Sequence, residues 1–181
     1  MTTGGYGPPL DALDGVCKKY KDCVQCAHKE FGEQCFGEIV RYRFKMEDHN
    51  VQCLNDQNSC ERSLCECDRA FAQDHVNTKD AFNEDWHLFW STLPGGFEPK
   101  DDCQSGGHGS TSHPECCRNP SGTSSIYNPN MSQCCDGHII PLLGRAVAGR
   151  TSGLERKCDP QTWNMYTLNS AYHSYFSLIT L

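Results

Sequence analysis

Long apolar runs are missing from this chain. No stretch of its 181 residues approaches the roughly 18 consecutive apolar residues of a membrane-spanning helix, so it carries no transmembrane segment that can be read. Aliphatic side chains are sparse too: hydrophobic residues make up 37% and mean hydropathy is −0.63, too little for a large apolar core. Basic residues are in deficit. Sixteen Lys and Arg stand against 23 Asp and Glu, for a net charge of −7, which disfavours nucleic acid and anionic membranes as electrostatic partners. Lys18, Lys19 and Lys21 do cluster, but a solvated helix face accounts for them more simply than a phosphate site. The start, Met1-Thr2-Thr3-Gly4-Gly5, lacks the apolar run of a signal peptide. The eight histidines are scattered, with no H-x3-H or H-E-x-x-H grouping, which argues against a metal site built from them.

What the chain has in abundance is cysteine, 14 residues. That density approaches the level of a disulfide scaffold and persists as cross-links only in an oxidising compartment. Secretion is the default expectation, and a disulfide-rich chain without a leader reads as an incomplete or processed product. Disulfides would then supply what the core cannot, about 2–4 kcal/mol each in the chain-entropy account. An intracellular zinc protein is the alternative, because Cys23-x2-Cys26 has ligand-like spacing.

The local pattern alternates long helices with a short hairpin. Residues 1–9 are rich in Gly and Pro and unsuited to regular structure. From Pro9 to about Phe31, Leu10, Leu13, Cys17, Val24 and Ala27 recur at helical steps. Residues 38–44 alternate apolar and basic as a half-exposed strand, residues 46–50 read as its turn, and residues 51–54 as the return strand. A second helix is expected from about Ser59 to His75. The Trp86/Trp90 cluster reads as core packing against the helices rather than a lipid anchor. Ser105-Gly106-Gly107-His108-Gly109-Ser110 reads as a linker, within residues 104–112.

Three motifs sharpen this. Cys60-x4-Cys65-x-Cys67-Asp68-Arg69 resembles the second active-site helix of secreted phospholipase A2 proteins. Upstream, Asp14-Gly15-Val16-Cys17-Lys18-Lys19-Tyr20-Lys21-Asp22-Cys23 is similar to that family's D-x-C-C-x-x-H-D-x-C helix, with Asp14, Cys17 and Cys23 setting the register. Gly4-Gly5-Tyr6-Gly7-Pro8-Pro9 resembles the back half of its calcium loop. The resemblance implies a mainly α, disulfide-rich fold with two long antiparallel helices and a small β-hairpin. It implies bridges Cys23–Cys67, Cys35–Cys60 and Cys53–Cys65, leaving Cys17 and Cys26 without family partners. One bridge of the family has lost both ends, at Val16 and at Asp74.

The family hydrolyses the sn-2 ester of phospholipids with a histidine base and calcium as the electrophile. By the same register the histidine position is Tyr20 and the calcium carboxylate position is Lys21, while the orienting Asp is retained as Asp68. Gly5 and Gly7 fall at calcium-loop positions. A phenol titrates near pH 10 and is no base at neutral pH, and an ammonium repels a cation. The expectation is therefore no cofactor and a degenerate site, with Asp68 accepting a hydrogen bond from Tyr20 or pairing with Lys21. The protein would be a secreted, inactive relative that binds a phospholipid or an extracellular protein. An active calcium-dependent phospholipase A2 is the alternative.

Beyond the linker, Cys116-Cys117-Arg118-Asn119-Pro120 and the run from Ile126 to Gly137 with Cys134-Cys135 resemble a galaxin-type repeat. Adjacent cysteines cannot bond each other without strain, so each reaches a different partner. Asn130-Met131-Ser132 is an N-glycosylation acceptor sequence. The expected division is a phospholipase A2-like domain over residues 1–100, truncated at its N-terminus, and an irregular cysteine-rich tail over 101–181.

Overall fold

Helix α1, Ala12–Phe31, begins where Asp11 caps it: the Asp11 carboxylate accepts the backbone N–H of Asp14 at 2.7 Å. Asp14 reaches back to the N–H of Leu10 at 3.0 Å, so each carboxylate satisfies a donor that the helix start leaves open. Gly32, at φ +94°, ends it. In the computed structural model, residues 8–98 and 113–142 are described, and all of them belong to one compact unit.

Helix α2, Cys60–Asn77, is capped by Ser59, whose hydroxyl accepts the N–H of Arg62. The helices run antiparallel, since Lys19 meets Asp74, Tyr20 meets Phe71, and Cys23 is bonded to Cys67. The filling between them is small and cross-linked. Val16, Cys23, Cys26 and Ala27 are buried on α1, and Leu64, Cys65 and Cys67 on α2. Ala27, Cys35 and Leu64 form a core cluster against which Phe31, Val40 and Tyr42 pack.

Strands β1, Phe44–Glu47, and β2, Asn50–Cys53, pair antiparallel. The ladder starts later than the alternation suggests, because the chain turns at Phe36, whose carbonyl accepts the N–H of Ile39 and of Val40. The turn is also tighter than the expected 46–50. Asp48 and His49 both have positive φ, the two-residue geometry that matches strand twist. Cys53–Cys65 ties this hairpin to α2, and Cys35–Cys60 ties the preceding loop to the start of α2.

The aromatic cluster after α2 is not core packing. Phe89 is 80% exposed and Trp90 71%, and no described residue from 68 to 116 is buried. The cystines and small apolar side chains already fill the space between the helices, and two 3-10 turns, Lys79–Ala81 and Glu84–Trp86, lead the chain outward.

Residues 113–142 form two further hairpins, β3 (Glu115–Arg118) with β4 (Ser124–Tyr127), and β5 (Ser132–Cys135) with β6 (His138–Pro141). Neighbouring strand residues point to opposite faces, and the vicinal cysteines use this. Cys116 bonds Cys26 on α1, while Cys117 bonds Cys134 on β5. With Cys23 and Cys26 both in disulfides, the zinc alternative falls. Gly137 is required where the hairpins meet: a Cβ there would lie 2.5 Å from Cα of Asn119.

The β3–β4 hairpin is clamped to the helices by side chains as well. Arg118 reaches Glu30 on α1 at 2.8 Å and Ser63 on α2 at 2.7 Å. Lys29 bonds the carbonyl of Pro114. At its tip, Gly122 packs on Glu66, a buried carboxylate held between Arg62 at 2.8 Å and Arg69 at 2.7 Å.

Candidate functional site

Asp68 is half-buried on α2 and faces α1 and the segment entering β1. Tyr42, turned inward by the alternation that also buries Val40, donates its hydroxyl to Asp68 Oδ2 at 2.6 Å. Tyr20, on α1, also hydrogen-bonds Asp68. Burial raises both phenols first, and the hydrogen bond to Asp68 and its negative charge raise them further. Tyr42 is pushed up to about 12, and Tyr20 higher still. The two hydroxyls are thus held as donors to one carboxylate, and neither can accept a proton from water at neutral pH.

Behind Tyr20 the rings continue. Tyr20 and Phe71 have centroids 4.8 Å apart, and Phe71 lies 5.6 Å from His75. His75 therefore sits beyond an apolar ring from the Tyr20–Asp68 pair. His28, on the last turn of α1, packs edge-on against Phe36 with its Nε2 buried and unbonded.

Lys21 follows Tyr20 on α1 and is half-buried. Gly5 and Gly7 lie outside the described residues. Position 21 carries an ammonium where the resemblance places a carboxylate, and Asp68 accepts phenol hydroxyls.

A groove of about 400 Å³ adjoins the Tyr20–Phe71 ring pair. Its floor is Val16 and Phe71, its wall includes Lys19 and Asp74, and the β3–β4 hairpin closes it with Ser121 and Ser125. At about 100° per residue, the stripe Val16–Lys19–Tyr20–Cys23 faces this groove while Cys17, Lys21 and Val24 face away. Lys19 and Asp74 are paired at 3.3 Å across its mouth.

With this geometry the comparisons with known proteins agree. Residues 1–86 match the family model "Phospholipase A2". The resemblance to phospholipase A2 proteins is thus confined to residues 1–86. It is similar to "Phospholipase A2, membrane associated" of Mus musculus, 28% identical over 97 residues, which is 54% of this chain and 64% of the relative. The same-named protein of Cavia porcellus is 31% identical over 96 residues, 53% of this chain and 64% of the relative. "Group 10 secretory phospholipase A2" of Rattus norvegicus is 33% identical over 98 residues, 54% of this chain and 59% of the relative. The chain thus spans less than two thirds of each of these relatives.

The phospholipase A2 register also gives the groove a meaning. Val16 and Asp74, the two positions at which the family resemblance places a missing bridge, line one and the same groove. The sequence assigns no contact to three residues of this region. Tyr42 was legible only as an inward strand position. Cys26 and Arg118 act through partners 90 and 88 or fewer residues away, and no local pattern announces such pairings.

Proposed function

We propose that this chain is a secreted phospholipase A2-like protein that is catalytically inactive and acts by binding, as an extracellular binding or matrix protein. One observation carries the reading: Asp68, the carboxylate that would orient a histidine base, accepts hydrogen bonds from the phenols of Tyr42 and Tyr20. A phenol so held does not generate hydroxide from water, and a lysine at position 21 opposes the cation that would polarise an ester carbonyl. The disulfide network supports an oxidising destination. The resemblance of residues 116–140 to a galaxin-type repeat supports an extracellular binding role, with a phospholipid surface or an extracellular protein as the partner class. The net charge of −7 disfavours nucleic acid.

The rival reading, an active calcium-dependent phospholipase A2, rests on the family match of residues 1–86 and on the retained Asp68. Hydrolysis of mixed phospholipid micelles by the natively oxidised protein, with Ca²⁺ and with chelator, separates the two. No chelator-sensitive turnover above blank is expected. Calcium-dependent release of the sn-2 fatty acid would overturn the inactive reading and the register placed on residues 14–23.

A further inference from the structure

Asn130-Met131-Ser132 is the one Asn-x-Ser/Thr triplet of this chain whose middle residue is not proline. The fold places it in the turn between β4 and β5. Asn128 holds that turn together. Its Oδ1 accepts the backbone N–H of Asn130 at 2.9 Å, and its carbonyl accepts those of Met131 at 3.0 Å and Ser132 at 2.9 Å. Pro129 is buried and Asn130 is exposed, so the chain is anchored just before the acceptor and open to water at it. The carboxamide of Asn130 makes no hydrogen bond among the described residues.

Asn119 is the contrasting case. It also stands two positions before a serine, but Pro120 lies between them, and its carboxamide is built into the fold. Nδ2 donates to Thr123 Oγ1 at 2.7 Å, while Oδ1 accepts the hydroxyl of Ser121 at 2.7 Å and the N–H of Thr123 at 3.1 Å. A substituent on Asn119 would take apart the β3–β4 turn. A substituent on Asn130 breaks no bond of the structure.

We propose that Asn130 is a modification site that carries an N-linked oligosaccharide. This rests on the secreted reading of the chain, because the donor, an oligosaccharide on a polyprenol pyrophosphate, is met in the lumen where the disulfides form. In the transfer, Asn130 Nδ2 bonds to C1 of the first sugar. The bond from C1 to the pyrophosphate oxygen breaks, its electron pair leaves with the pyrophosphate, and the amide gives up one proton. Ser132 supplies the hydroxyl that the transferase reads beside the amide. Because the acceptor sits in an exposed turn, the attached sugar extends into water and displaces no packed group.

Expression of the chain behind a cleavable leader in animal cells tests it, with the intact mass of the secreted, oxidised protein as the readout. The increment of one oligosaccharide is expected, and peptide N-glycosidase should remove it and leave an aspartate at the acceptor position of the released peptide. N130Q and S132A should each abolish the increment, the second with the acceptor amide still in place, and S132T should keep it. None of the three side chains replaced is bonded within the fold, and a thiol count verifies that the variants oxidise as the parent does. Secreted, oxidised protein at its unmodified mass overturns the proposal and leaves the secreted reading standing. An increment that survives N130Q overturns it as well, since the sugar then sits elsewhere. A chain that stays inside the cell, reduced and without sugar, overturns both.

Discussion

Tyr42 donates its hydroxyl to Asp68 at 2.6 Å, and Tyr20 converges on the same carboxylate from the opposite element. These contacts form a structural knot that joins α1, α2 and the segment entering β1. Its consequences are measurable without any substrate.

The two phenols titrate late. Burial is the first cause and Asp68 the second, so the tyrosinate absorbance of Tyr42 should rise near pH 12 and that of Tyr20 above it. Both folded values exceed the ordinary value of about 10, so their contribution to stability is complete below about pH 10. It is lost as pH rises through the folded values. Asp68→Asn should bring both midpoints down without returning them to ordinary, because burial remains. Assignment with Tyr42→Phe and Tyr20→Phe checks this; two ordinary phenols in the parent would refute the knot.

Val16 and Asp74 line a common groove, and the resemblance puts a lost bridge between them. The double variant Val16→Cys/Asp74→Cys should therefore oxidise to an added disulfide under native folding conditions, leaving the thiol count of the parent unchanged. The cross-link closes a long loop and should add about 2–4 kcal/mol to stability in denaturant titration. It also removes the Lys19–Asp74 pair, which is exposed and contributes little. Two free thiols after folding would show that residues 14–23 are out of register with residues 68–74.

Much of the fold was legible and some was not, for physical reasons. The helices showed themselves through periodicity and through Asp11 and Ser59, which cap them by local hydrogen bonds. The β1–β2 hairpin was visible as alternation, but its ends were not, because the Phe36 turn and the Asp48-His49 turn fix the ladder by backbone geometry. Trp86 and Trp90 misled because apolar character predicts burial only where a core has room. A core made of cystines has none to offer. In the site, Tyr20, Lys21 and Asp68 could be named from spacing alone. Tyr42 could not, since its role depends on a contact 26 residues distant in sequence.

Cys26–Cys116 fastens the β3–β4 hairpin to α1 across a separation of 90 residues. Replacing both cysteines by serine should cost about 2–4 kcal/mol and should act locally. Amide exchange is expected to quicken over residues 113–127, while α1 and α2 keep their protection through Cys23–Cys67. Adding Arg118→Met removes the contacts to Glu30 and Ser63 and should free the hairpin further. Equal loss of protection in the helices would mean that the hairpin is an integral part of the helical core.

Glu66 is the strictest test of how the hairpin is seated. Its carboxylate is only 7% exposed and lies between Arg62 and Arg69, and Arg69 continues to the carbonyl of Ser121 in the β3–β4 turn. Removing one member of such a network strands the rest, so Glu66→Ala should cost about 3 kcal/mol, measured by urea denaturation. Gly122 sits directly above, at φ +92°, where an added Cβ would come within 2.9 Å of Glu66 Cγ. Gly122→Ala should therefore destabilise through both strain and contact. In the double variant Glu66→Ala/Gly122→Ala the contact part disappears while the strain stays, so the two costs should add to less than their sum. Strict additivity would mean that the hairpin tip does not rest on Glu66 in solution.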